Sequence, residues 1–348
     1  NNYKKFRDKI LEISNKQGKK KKSGIHEPVF SNKEKQYLND CINKSIVSST
    51  GSSSNSYSKK FISKLKSITK SKYIILTNTG SAALHASFLV SGLKENYEIL
   101  MPSLNYISNA NSLLLCKGIP HFIEIDELSL GADIPKLEKY ISNIAKVKNG
   151  KLYNKKTKNR IYGLQVLHTY GMPSNIDLII KFAEKFKLFV IEDSAEALGS
   201  YYNKKHVGTF GDIAALSFNG NKIITTGMGG AIMTNNFKLY KKASSVIQLS
   251  KKDHKWKYEY SDIGFNYRLP NINAAIGLAQ IEKLEIFLKL KLKLSMRYRK
   301  CFTKFSKELK FFEESKNCKS NNWLNTIILN NNYKKFRDKI LEISNKQG

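Results

Sequence analysis

Seven short and almost uninterrupted apolar runs constrain this chain more than anything else in it: YIILTN (73–78), EILMPS (98–103), PHFIEID (120–126), YGLQVLH (162–168), LFVIED (188–193), DIAALSF (212–218) and GGAIMT (229–234). They do not alternate polar with apolar residues, so each reads as a strand covered on both faces. Helical stretches lie between them. That pattern predicts an α/β fold with a seven-stranded, mostly parallel sheet and helices on both faces. In such a sheet, ligands bind beyond the carboxyl ends of the strands, and the chemistry is to be sought there.

The chain has 348 residues, 41% of them hydrophobic, enough for a large domain and a smaller one. Its formal net charge of +32 points at first to nucleic acid. However, the lysines are spread along a chain also rich in Asn, Ile, Ser and Tyr, which reads as a compositional bias. Zinc-finger spacing, an RNP-type aromatic motif and a basic region joined to heptads are all missing. Neither nucleic acid nor membrane is therefore expected as a partner. The four cysteines, Cys41, Cys116, Cys301 and Cys318, form no CxxC pair, so reduced thiols are expected and a disulfide framework or zinc site is not. With no apolar run near bilayer length and no signal-like segment, the expected location is the cytoplasm.

Residues 1–18 are identical to residues 331–348. A perfect repeat confined to the two ends is unlike a solenoid, and the N-terminal copy is read as extraneous. The C-terminal copy follows a strand-like LNTIIL (324–329) and reads as an amphipathic helix with Phe336, Ile340 and Ile343 on one face. Ser31 with Glu34 three residues on predicts a capped helix to Ser45. A mobile serine-rich loop (48–58) and a basic helix (58–67) follow. A large domain with an N-terminal arm is expected over 19–245, and a smaller C-terminal domain, apparently incomplete, over 246–348.

Lys222 stands in SFNGNKIITTGMGG, between two predicted buried strands. A partly desolvated amine in that position is a candidate nucleophile toward an aldehyde. The first strand runs into Asn78-Thr79-Gly80-Ser81-Ala82, a turn opening a helix, and backbone N–H groups there form a natural phosphate cradle. It is neither a Walker loop nor a dinucleotide fingerprint. Tyr106 follows the second strand, where its ring could stack on a flat cofactor. Asp193 and Glu196 follow the fifth, and an unpaired Asp193 would be costly enough to require a cationic partner. These are the parts a pyridoxal phosphate enzyme needs: an amine, a carboxylate for the pyridine nitrogen, a stacking ring and a helix N-terminus.

Together, NTGSAALHAS, PSLNYISNAN, EDSAEALGS, SFNGNKIITTGMGG and GFNYRLPNINAAIGLAQIEKL resemble the DegT/DnrJ/StrS family of sugar aminotransferases over about residues 25–300. The resemblance implies the pyridoxal phosphate-dependent transferase fold of type I. It implies that Lys222 binds the cofactor covalently, that Asp193 pairs with the pyridine nitrogen and that Tyr106 stacks on the ring. It places Ser81, Ala82 and Ser217 at the phosphate, counts Gly80 and Asn219 among the cofactor-binding residues, and puts Glu196 near the phenolic oxygen. Asn266 matches a residue that reaches the neighbouring subunit's phosphate, which implies a homodimer with shared sites. Two departures stand out: Met228 in the TTGxGG turn, and a C-terminal domain shorter than is usual in the family. The segments His26-Glu27-Pro28-Val29-Phe30 and Val47-Ser48-Ser49 look closest to members that aminate UDP-4-keto-6-deoxy sugars on the way to bacillosamine or legionaminic acid.

The implied activity is transfer of an amino group from L-glutamate to a nucleotide-linked keto sugar for glycan biosynthesis. The alternatives are a dehydratase of the same family, which Lys222 disfavours because that branch carries histidine there, a basic nucleic-acid-binding protein, and a protein that keeps fold and cofactor without turnover.

Overall fold

The computed structural model describes residues 26–48, 56–252, 254 and 256–346. The N-terminal copy of the repeat, and all of the serine-rich loop except Ser48 and 56–58, lie outside them. Every one of the seven apolar runs forms a strand: β1 (Tyr73–Thr77), β2 (Glu98–Pro102), β3 (Ile119–Ile123), β6 (Arg160–Leu167), β7 (Phe189–Asp193), β10 (Ile213–Ser217) and β11 (Gly230–Thr234). They pair in the order β1-β11-β10-β7-β6-β2-β3, with β11 antiparallel to both neighbours and the remaining pairs parallel.

The sheet carries two strands the apolar runs do not announce, β4 (Ala145–Lys148) and β5 (Lys151–Asn154), a hairpin on β6. Its signal is turn chemistry. Asn149 and Gly150 both have positive φ, 52° and 71°, and Asn-Gly is the pair a two-residue hairpin favours because both central residues must enter that region.

Alternation along each strand sends neighbouring residues to opposite faces. Leu76, Ala214, Leu216 and Met233 pack with Phe61 and Leu65 of α2 (Tyr57–Thr69) and Leu278 of α8 (Asn271–Ile281). On the same face Leu164, Val166 and Val190 meet α5 (Ile134–Ile144) and α6 (Ile176–Phe186). The opposite face buries Ile75, Ile99, Met101, Ile191 and Ala215 beneath α3 (Gly80–Val90), α4 (Ile107–Leu115) and α7 (Phe237–Val246). Before α2 comes α1 (Asn32–Asn43), with the capping box at Ser31 and Glu34.

After α8 the chain turns at Glu282-Lys283 into α9 (Leu284–Phe302). Beyond α9 the chain forms the pair β12 (Leu309–Phe311) and β14 (Ile327–Leu329), and then α10 (Arg337–Lys346), which buries none of its residues fully. Between them, β13 (Cys318–Lys319) adds to the small sheet of β8 (Tyr201–Tyr202) and β9 (Lys205–His206). This addition returns the C-terminal segment to the end of the main sheet.

Candidate active site

The candidate residues lie at the strand ends, where a mostly parallel sheet is expected to bind its ligand. Lys222 lies in the loop after β10, with its side chain 13% exposed. Its Nζ stands 3.4 Å from Glu196 Oε1 and 4.1 Å from the centre of the Trp323 ring. Glu196 is fixed in turn by the Tyr170 N–H, which donates to Oε2 at 2.7 Å. Burial pushes the Glu196 carboxyl up, against the pull of the Lys222 charge.

Asp193, at the last position of β7, is buried. The cation expected beside it is not its direct partner: among the described residues no ion pair reaches it. Its carboxylate accepts instead from Asn109 Nδ2 at 2.6 Å and from the Ala195 N–H at 3.0 Å. Burial pushes its pKa up, and these two donors together with the Lys222 charge only partly offset that. A carboxylate left short of donors in a buried place suits a cationic ligand. Asn109 belongs to a chain of amides, for its Nδ2 also donates to Asn105 Oδ1, and Asn105 Nδ2 donates to Gln165 Oε1. Asn109 lies within the PSLNYISNAN stretch, but nothing there marks it as the partner of Asp193. It comes from α4, 84 residues before Asp193, and only the fold joins them.

The turn at Gly80 is built for close approach. Thr79 caps α3 by accepting from the Ala82 N–H at 2.9 Å. A Cβ on Gly80 would lie 2.8 Å from Ser217 Cβ, and one on Gly230 would lie 2.5 Å from the Thr79 carbonyl oxygen. The helix N-terminus is thus pressed against the end of β10 and the start of β11. Ser81, exposed beside it, shares a 2.9 Å hydrogen bond with Ser108 of α4, so two helix N-termini meet at these hydroxyls. Ser217 Oγ accepts from the Asn219 N–H at 3.4 Å. Tyr106, the residue before α4, is 64% exposed, leaving its ring open to stack. Asn266 is exposed and bridged to Gln248, one residue before Tyr267, whose carbonyl accepts from the Asn78 N–H at 2.7 Å. This single chain gives it no role in its own site.

These residues fit pyridoxal phosphate. An amine, a donor-poor buried carboxylate, an open aromatic ring and a helix N-terminus with hydroxyls lie around the same strand ends. Two residues that local reading missed complete the wall. Trp323 arrives on the C-terminal segment and donates its indole N–H to the Asn221 carbonyl at 2.6 Å. Lys291 of α9 donates to the Trp323 carbonyl at 3.0 Å.

Residues 29–348 match the model of the DegT/DnrJ/EryC1/StrS aminotransferase family. Over 304 residues the chain is 34% identical to the GDP-perosamine synthase of Escherichia coli O157:H7, covering 87% of this chain and 77% of that one. It is 31% identical to the GDP-perosamine synthase of Vibrio cholerae, covering 91% and 80%. Among solved structures, an aminotransferase of Helicobacter pylori involved in the biosynthesis of pseudoaminic acid superposes with a TM-score of 0.82 at 24% identity, covering 94% of this chain and 83% of that one. This shared fold, the family model and the relatives agree: the chain belongs to the DegT/DnrJ/EryC1/StrS aminotransferase family, pyridoxal phosphate-dependent sugar aminotransferases of fold type I.

Proposed function

We propose that this enzyme moves an amino group from L-glutamate to a nucleotide-linked 4-keto-6-deoxy sugar in the cytoplasm, for polysaccharide or glycan synthesis. The placement of Lys222 between Glu196 and the Trp323 ring, with Asp193 buried beneath, carries this reading. Pyridoxal phosphate, when bound, supplies the aldehyde carbon and the electron sink. The chain supplies the rest. Lys222 would hold the cofactor covalently and, once released, would take a proton from the substrate carbon and return it to the product. Glu196 orients that amine. Asp193, held by Asn109, keeps a negative charge where the ring nitrogen carries its proton. Gly80, Ser81, Ala82, Ser217 and Asn219 take the phosphate at the N-terminus of α3, and Tyr106 stacks.

In this reading Asn266 completes the site of a second copy, so the working form is a homodimer. Residues 19–245 act as the cofactor-binding unit and 246–348 as the C-terminal unit. The names of the two GDP-perosamine synthases favour a GDP-linked acceptor, and UDP-linked sugars are the second to be assayed.

The deciding experiment is an absorption spectrum of the protein with pyridoxal phosphate, before and after glutamate. A visible band that moves to the ultraviolet with glutamate, and moves back with the keto sugar, is the expected result. A Lys222→Ala protein that keeps full turnover would sink the assignment.

A further inference from the structure

One cation in the wall of this site has no acid to answer it among the described residues. Lys291 pairs with no carboxylate among the described residues, and its hydrogen-bond partner is the Trp323 carbonyl. That contact uses one of three ammonium protons and needs no charge, so locking Trp323 in place does not account for a lysine here. The amine lines a cavity of about 240 Å³ together with Lys222, His26, Glu27, Phe287 and Leu290. Burial pushes Lys291 down to about 8. Burial, followed by the charges of Lys291 and Lys222, pushes His26 down to about 4. Of the titratable groups on this lining, Lys222 has Glu196 as its counter-ion, and Glu27 is exposed. The cavity beside the reactive amine is therefore apolar in much of its wall and positive in its field. An anion entering it meets a partly desolvated ammonium with two donors unused among the described residues.

We propose that Lys291 is a substrate-recognition residue that binds the anionic oxygens of a substrate in the cavity next to Lys222. This rests on the aminotransferase reading, in which two anions visit the site: the diphosphate of the nucleotide sugar and a carboxylate of the amino donor. Charge-assisted hydrogen bonds from a half-buried ammonium are strong enough for their loss to weaken binding about 10- to 100-fold.

Trp256 and Trp323 are the chain's two tryptophans, and Trp256 is 74% exposed. In a Trp256→Phe background the emission of Trp323 reports directly on the Lys291 contact. Inorganic pyrophosphate and, separately, glutamate are titrated into the cofactor-loaded protein by this signal, and KM is measured for each half-reaction. In Lys291→Gln the apparent Kd and KM rise about 10- to 100-fold for one of the two substrates, with kcat changed far less, and Lys291→Arg restores most of the affinity. A rise for the nucleotide sugar and pyrophosphate identifies the diphosphate as the ligand; a rise for glutamate alone identifies the carboxylate. If Lys291→Gln binds and turns over both as the parent does, the proposal is overturned. Should that variant not fold, acylation of Lys291 in the unsubstituted protein is followed by mass spectrometry. Protection by pyrophosphate or glutamate upholds the proposal, and labelling unaffected by both overturns it. The two readings fail separately. A spectrum that never responds to glutamate removes the aminotransferase reading, whereas a responsive spectrum with indifferent Lys291 variants removes only this one.

Discussion

Glu192 and Asp193 are consecutive residues of one strand, both buried, and the two faces of the sheet treat them in opposite ways. On one face Glu192 accepts from the His168 ring at 3.0 Å and from the N–H groups of Gly208, Phe210 and Gly211 at 2.7, 2.7 and 2.6 Å. Burial pushes its carboxyl up, but His168 and these donors outweigh that, and its pKa ends below the ordinary value of 4.5. On the other face Asp193 has an amide and one N–H, and its pKa ends above the ordinary 3.8. A saturated carboxylate holds the loop after β9 in place. An undersaturated one keeps capacity for a ligand, and is the kind of locally unfavourable choice found at functional sites.

The largest effect that would sharpen this contrast is on stability. Glu192→Gln replaces one carboxylate oxygen by an NH2 donor, which must then face N–H donors, either those of Phe210 and Gly211 or those of Gly208 and His168, so unfolding should become easier by about 3–5 kcal/mol, read from denaturant midpoints. Asp193→Asn should do the reverse. The cofactor-free protein keeps or gains stability, while kcat falls about 10²- to 10³-fold. Equal stability losses in the two variants would erase the distinction.

A smaller effect is expected one step behind the site. Asn109→Ala removes the 2.6 Å donor to Asp193, and kcat should drop about 10-fold while KM for both substrates holds. The pH profile of kcat should shift upward with the Asp193 carboxyl, a change that a general loss of packing would not produce. Such a variant with an unmoved profile would show that the amide chain is scaffolding.

The smallest effect lies in the acid limb of stability for the cofactor-free protein, and its sign differs between the two acids. Glu192, with its pKa lowered in the folded state, contributes stability that is present above about pH 4.5 and lost as pH falls toward its folded value. Asp193, with its pKa raised, binds its proton more tightly when folded. Its contribution is present below about pH 3.8 and lost as pH rises through the folded value. Subtracting the Glu192→Gln and Asp193→Asn curves from that of the parent should give slopes of opposite sign. Matching slopes would mean that both carboxylates are saturated alike.

Much of this was legible before the fold. The central strands of the main sheet are buried on both faces and leave continuous apolar runs, the edge strand β3 leaves such a run although it is largely uncovered, and the capping box at Ser31 and Glu34 stands in the order of the letters. The hairpin at Asn149-Gly150 was not read from the sequence; its signal is turn chemistry, which a search for apolar runs passes over. The residues proposed for the cofactor could be listed from their motifs because each follows directly on a strand end. Asn109, Trp323 and Lys291 could not. Their partners lie 84, 102 and 32 residues away, on elements whose meeting is set by the packing of helices and of the small β8–β9–β13 sheet.

The cation expected beside Asp193 fails for a related reason. Reading the chain showed that a buried acid needs partners, but not that an amide from α4 would take that place. Periodicity and turn chemistry are properties of neighbouring residues, so the order of letters is enough to specify strands, caps and the lysine loop. Which buried group is left short of partners depends on what distant segments bring to it. The packed molecule alone settles that Glu192 is saturated, Asp193 is not, and Lys291 faces the cavity beside Lys222 with no counter-ion among the described residues.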